Sequence, residues 1–114
     1  MRKKGAVFEQ KAKAFLIEQG LTFKAANVTF KGGELDLVML DSTTIVFVEV
    51  RHRGLSSFVT AVESVSKAKI QKWQKAASLY LLGLGLSLDT TDCRFDLVTF
   101  DGDEPPCWFP NFLG

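Results

Sequence analysis

Apolar positions recur along this chain with two different periods, and the switch between them marks its elements. In the first twenty residues Phe8, Ala12, Phe15 and Leu16 repeat at helical spacing and Gly20 offers a stop, so a helix is expected over about 4–19. From about residue 22 the pattern changes to runs rich in Val, Ile and Phe. Strands are predicted over about 22–31, ended by Gly32-Gly33, then over 34–40 and 44–53, with the polar stretch at 41–44 as the turn between the last two. Helical spacing returns with Val62, Val65, Trp73, Ala76 and Tyr80. Thr60 and Glu63 fit a capping box, so this helix is placed from near Ala61 to Gly83 or Gly85. Arg94 to Phe100 reads as a further strand. The remaining tail, DGDEPPCWFPNFLG, reads as a loop whose Trp108, Phe109 and Phe112 cover an exposed part of the sheet. The order is helix, three strands, helix, strand: an α/β domain with a mixed sheet.

Side chains alternate faces along a strand, so Glu34, Asp36, Val38 and Leu40 share one face, and Ile45, Phe47, Glu49 and Arg51 share one face of the next strand. A two- or four-residue turn pairs positions whose numbers sum to 85, which sets Phe47 opposite Val38, Glu49 opposite Asp36 and Arg51 opposite Glu34. A three- or five-residue turn would separate the sets, since a one-residue slip flips every side chain. The even turns also collect Val38, Leu40, Ile45 and Phe47 on one face, and the hydrophobic pattern therefore favours them.

That register has a cost. Asp36 and Glu49 would face each other about 5 Å apart at Cβ beside an apolar patch, where like charges repel. A shared proton, the neighbouring Arg51 or a divalent cation could relieve it. Mg²⁺ takes oxygen ligands, and one or two carboxylates with water or phosphate satisfy it. Arg51 would then hold a phosphate oxygen beside the metal. The competing account is a cross-strand ion-pair cluster, with Glu34 and Arg51 as one pair.

At 114 residues the chain is one domain that buries roughly 65 per cent of the surface its unfolded form exposes. No apolar run approaches the ~18 residues of a membrane helix. The basic head MRKKG is followed by Glu9, Lys11, Lys13 and Glu18, which argues against an export signal and for a cytoplasmic protein. Cys93 and Cys107 stand far apart with one histidine in the chain, which fits two reduced thiols better than a zinc site. The net charge of +1 is uneven: residues 1–75 carry 13 Lys/Arg against 7 Asp/Glu, a net +6, and the remainder a net −5. A basic N-terminal two-thirds is compatible with a polyanionic partner, and equally with solvated surface charge.

An Asp on one strand, a turn, and apolar residues leading into Glu-x-Lys resembles the signature of PD-(D/E)xK nucleases, here as GELDLV at 33–38 and VFVEVRHR at 46–53. Gly5-x-x-x-Glu9-x-x-Ala12, SVSKAKIQK at 64–72, RFDLV at 94–98 and the WFPNF tail extend the match over nearly the whole chain, which resembles the YraN family of small bacterial proteins. The resemblance implies a restriction-endonuclease-like core and Mg²⁺ (or Mn²⁺) held by Asp36, Glu49 and the backbone carbonyl of Val50. It further implies that Glu9 joins the site from the first helix, as in Holliday-junction resolvases of that fold. Read from the residues alone, Glu9 sits at the edge of the apolar stripe and could point inward, or serve the helix dipole and Lys13. Lys69 lies on the buried side of the second helix between Val65 and Trp73, where a site carboxylate, a phosphate or snorkelling to solvent would each account for it.

One departure matters. The nucleases usually carry Lys where this chain has Arg51, and arginine cannot serve as a base, although it can stabilise charge on a phosphoryl group. The leading expectation is a metal-dependent endonuclease acting on DNA, branched DNA included, in which Lys67, Lys69, Lys72, Lys75 and the Arg2-Lys3-Lys4 head meet the backbone. Alternatives are a nucleic-acid-binding protein that has lost cleavage, and an interaction protein whose carboxylates serve local ion pairs. A retaining glycosidase also pairs carboxylates at this distance, but so small a domain offers few aromatic residues for a sugar cleft. The aromatic tail could cap the sheet or mediate a homodimer.

Overall fold

The computed structural model describes residues 4–114, with side chains from residue 6 onward. Its elements are helix α1 (Lys4–Glu18), strands β1 (Thr22–Phe30), β2 (Gly33–Asp41) and β3 (Thr44–Arg53), a single 3₁₀ turn at Val62–Ser64, helix α2 (Lys67–Gly83), and strands β4 (Cys93–Asp101) and β5 (Cys107–Phe109). The five strands form one sheet in the order β1-β2-β3-β4-β5. Pairing is antiparallel except between β3 and β4, which run parallel. A parallel pair needs a long crossover, and α2 lies within it.

A helix covers each face of the sheet. Ala12 and Leu16 of α1 bury against Leu37, Met39, Val46, Val48 and Val98 on one face. Trp73, Ala76, Ala77 and Leu81 of α2 bury against Val38, Ile45, Phe47 and Leu97 on the other. The central strands β2, β3 and β4 are thus covered on both sides, which is why they read as nearly continuous apolar runs. Against that background, the charged residues inside them stand out. None of the described helices is long and apolar enough to cross a membrane.

The β2–β3 turn has two residues, with Asp41 opposite Thr44 and Leu40 opposite Ile45, so the register follows the expected sum. Ser42 takes a φ of 58°, the left-handed entry that two-residue hairpins require. Two expectations need correction. α2 begins at Lys67, not near Ala61. The Thr60–Glu63 capping box does form, with Thr60 N donating to Glu63 Oε1 at 2.8 Å and Glu63 N to Thr60 Oγ1 at 3.3 Å, but it opens only the 3₁₀ turn. Val65 is then extended, and Ser66 caps the true helix by accepting Lys69 N–H at 3.1 Å. At the other end Gly85, at φ 77°, lets Leu86 N reach Leu81 O at 2.8 Å and Gly85 N reach Leu82 O at 3.0 Å, a Schellman close just beyond Gly83. Finally, the tail does more than cover the sheet: Cys107–Phe109 joins it as β5 on the edge of β4. Cys93 and Cys107 form no disulfide.

Candidate functional site

The site lies where β2 and β3 part. Their Cα pairing runs from Asp41/Thr44 to Leu37/Val48 and stops one pair short of the expected Asp36/Glu49 match. Beyond it the Asp36 carboxylate takes over from the backbone, Oδ2 accepting the Val50 N–H at 2.9 Å. A side chain thus satisfies a donor that the ladder leaves open. The splay gives a cavity of about 160 Å³ at the end of the sheet, lined among others by Glu9, Asp36, Glu49, Val50, Arg51 and Lys69.

Three carboxyls meet there from different elements: Glu9 from α1 is 7% exposed, Asp36 from β2 8% and Glu49 from β3 1%. Lys69, in the first turn of α2, places Nζ 3.2 Å from Glu49 Oε2. Because Ser66 caps the Lys69 backbone, the residue that starts the helix also seats the ammonium. The β2–β3 ladder ends before it could set Arg51 opposite Glu34. Arg51 Nε donates to Ser64 Oγ at 3.2 Å, and Nη1 lies 3.9 Å from Glu49 Oε2. Ser64 Oγ in turn donates to Ala61 O at 2.6 Å, and Ala61 N to Asp101 Oδ1 at 2.7 Å. The 3₁₀ turn therefore braces Arg51 from the end of β4.

Burial dominates the electrostatics. Desolvation, followed by repulsion from Asp36, pushes the Glu49 carboxyl up to about 8, against the attraction of Lys69 and Arg51. Desolvation also raises Asp36, while the Val50 N–H and Lys69 hold it down. The two titrate as a pair. Glu49 Oε1 is buried with no hydrogen-bond partner among the described residues. Such a group is costly, and a proton or a cation would relieve it. Among the described residues no three His, Cys, Asp or Glu side chains group tightly enough to cage a metal by themselves. The donor set suits a hard cation that keeps water or substrate oxygens in its shell.

The other lysines distribute unevenly. Lys72 lines a neighbouring groove with Lys69 and Gly32-Gly33. There the helix sits so close to the β1–β2 turn that a Cβ on Gly33 would lie 2.6 Å from Lys72 O. The Lys75 side chain reaches the same turn beside Gly32. Lys67 is exposed at the start of α2, outside both cavities. Of the N-terminal head, Arg2 and Lys3 lie outside the described residues.

Residues 8–100 match the family described as "Uncharacterised protein family UPF0102". The chain belongs to the UPF0102 family. It is 55% identical over 114 residues to a UPF0102 protein of Actinobacillus pleuropneumoniae serotype 5b, covering 99% of this chain and 93% of that one. Over 113 residues it is 58% identical to one from Mannheimia succiniciproducens, covering 98% and 95%. This is the family that the motifs resemble under the name YraN. The UPF0102 match begins one residue before Glu9 and ends at Phe100, so it spans every side chain named in the carboxylate cavity and omits β5.

Sequence reasoning did not assign Ser64, Ser66 or Asp101, which position Arg51 and Lys69 through hydrogen bonds between distant segments. Arg53 also lines the cavity, and a signal for it existed, since it continues the alternation of Glu49 and Arg51. His52 and Phe8 complete the lining, their rings stacked at 4.3 Å.

Proposed function

We propose that this chain is a metal-dependent endonuclease with a restriction-endonuclease-like core, hydrolysing DNA phosphodiester bonds, with branched DNA among its substrates. The observation that carries the reading is the convergence of buried Asp36 and Glu49 with Lys69 and Arg51 in one cavity at the parted end of β2 and β3. The element order and the Asp36–Glu49-x-Arg51 spacing support the same assignment.

Asp36 and Glu49 would hold Mg²⁺ or Mn²⁺ with the Val50 carbonyl, and the unsatisfied Glu49 Oε1 fits that task. The cation, when bound, would polarise the phosphoryl group and acidify a water. The chain's own residues do the rest. Arg51, fixed by Ser64, offsets the charge that develops on the phosphoryl oxygens. Lys69 brings from α2 the ammonium that the third motif position lacks, and holds Glu49 oriented through Oε2. Glu9 adds a third carboxyl from α1 to the same wall. Lys67, Lys72 and Lys75 meet the DNA backbone outside the cavity.

A cleavage assay with Mg²⁺ or Mn²⁺ on duplex, single-stranded, flapped and four-way-junction DNA tests this. Wild-type protein is expected to cut at least one substrate, and folded Asp36→Asn and Glu49→Gln proteins to lose at least about 100-fold in rate. Cutting that survives both substitutions would sink the assignment. A second reading, a nucleic-acid-binding protein without cleavage, is favoured by one observation: Lys69 Nζ at 3.2 Å and Arg51 Nη1 at 3.9 Å already stand against Glu49 Oε2, where a metal would otherwise supply positive charge. It predicts salt-sensitive DNA binding and no product with any divalent cation.

A further inference from the structure

Beside the carboxylate cavity lies a larger one of about 490 Å³, the two sharing Phe8, His52 and Arg53 in their walls. Leu55, Gly102 and Asp103 close the far side. The Phe8 and His52 rings stack with 14° between their planes, and Phe8 leans on Phe100 at 5.1 Å, so the aromatic wall is braced by β4. Leu55 lies against the Gly102 backbone yet is 80% exposed, and Phe58, three positions on, is fully exposed. Both belong to the loop that directly follows β3, the strand carrying Glu49 and Arg51.

This lining differs in kind from the groove on the α2 side. It has no lysine, its arginine, Arg53, is shared with the carboxylate cavity, and Asp103 would repel a phosphate. It does offer aromatic faces to stack on, an aliphatic edge, and one carboxylate able to accept from the amino or ring N–H groups of a base. Large apolar side chains so exposed beside a polar cleft mark a contact surface.

We propose that the second cavity is a nucleobase subsite: it receives one unstacked base of the strand whose phosphodiester lies over Asp36 and Glu49, while Leu55 and Phe58 fill the gap left in the stack. This rests on the nucleic-acid reading above. Phosphates go to the lysine side and the base to the Phe8–His52 side. Single strands and junctions are preferred over continuous duplex, because an unpaired base costs least to extrude.

The test is binding, without divalent cation, of dye-labelled single-stranded DNA carrying 2-aminopurine at one position at a time. Anisotropy reports association, and 2-aminopurine emission reports the environment of the base. Wild-type protein is expected to bind, to change the emission at one position far more than at its neighbours, and to favour single strand over duplex. The doubly substituted Leu55→Ser/Phe58→Ala protein is expected to bind single strand about tenfold more weakly with the same salt dependence, since stacking and not phosphate contact is lost. Both positions are exposed, so folding is not at stake. Binding with unchanged affinity and emission in that variant overturns the subsite and leaves the nucleic-acid reading standing. No binding of any DNA by the wild type overturns both, and would leave Leu55 and Phe58 as a protein-docking surface.

Discussion

Glu49 keeps one oxygen 3.2 Å from the Lys69 ammonium and buries the other with no hydrogen-bond partner among the described residues, so its ionisation works against the fold. With its carboxyl raised from 4.5 to about 8, the folded chain retains between those values a proton that the unfolded chain has released. The contribution to stability is therefore fully present below the unfolded value and is lost as pH rises through the folded one. Asp36, also raised, acts in the same direction. In the presence of a chelator, thermal melts should show a Tm at pH 5.5 at least about 4 °C above that at pH 8.5, the shift that ~1 kcal/mol produces in a domain of this size. Glu49→Gln should flatten most of that slope. Mg²⁺ added at pH 8.5 should restore stability to the wild type and not to Glu49→Gln, because a cation replaces the missing proton. A wild-type slope already flat without metal would mean that Lys69 and Arg51 keep Glu49 ionised unaided.

Asp96, fully buried in β4, governs the last element from a distance. It accepts from Arg94 Nε at 3.0 Å and Nη2 at 3.2 Å, from Trp108 Nε1 at 3.0 Å and from the Asn111 backbone at 2.9 Å. Asp96→Ala leaves those donors without their acceptor and should cost about 3 kcal/mol in urea unfolding. Limited proteolysis should then cut first within 102–114, while α1 through β4 persists. Uniform resistance along the chain would show that Trp108, Phe109 and Phe112 hold β5 by packing alone. The same residue explains what the sequence hid. β5 has three residues behind a Pro-Pro pair and no period to detect, and what fixes it is a side chain twelve positions earlier. α2 was misplaced for a related reason: Thr60 and Ser66 are both sound N-cap signals, and nothing local tells which opens a long helix. The β2–β3 register was legible because a slip would have turned Val38 and Phe47 away from α2. Its early end was not, since the Asp36 bond to Val50 N–H breaks the pattern with a side chain. Even so, alternation together with the hydrophobic register brought Asp36, Glu49 and Arg51 to one face, and the cavity contains all three.

Across the whole molecule the uneven charge acquires a direction. Lys69, Lys72 and Lys75 follow one another along α2 from the carboxylate cavity to the β1–β2 turn, forming a basic track continuous with the site through Lys69. Asp92 instead bonds Thr44 Oγ1 at 2.9 Å beside the β2–β3 turn, at the opposite end of β3 from Glu49. A strand crossing the site would thus meet positive potential on the α2 side, with the Asp92 carboxylate at the far end of β3, an asymmetry that orients a polyanion before any contact forms. Each lysine that neutralises a phosphate releases a counterion, so log K should fall linearly with log salt. Lys72→Gln and Lys75→Gln should each lower that slope by about 0.7 on single-stranded and about 0.9 on duplex DNA, weakening all sequences alike. Both side chains belong to exposed residues, and exposed charges contribute little to folding, so Tm should stay put while binding weakens. That separation is what makes the measurement decisive: a slope unmoved by either substitution would return the lysines to solvated surface charge, and with them the claim that α2 faces the nucleic acid.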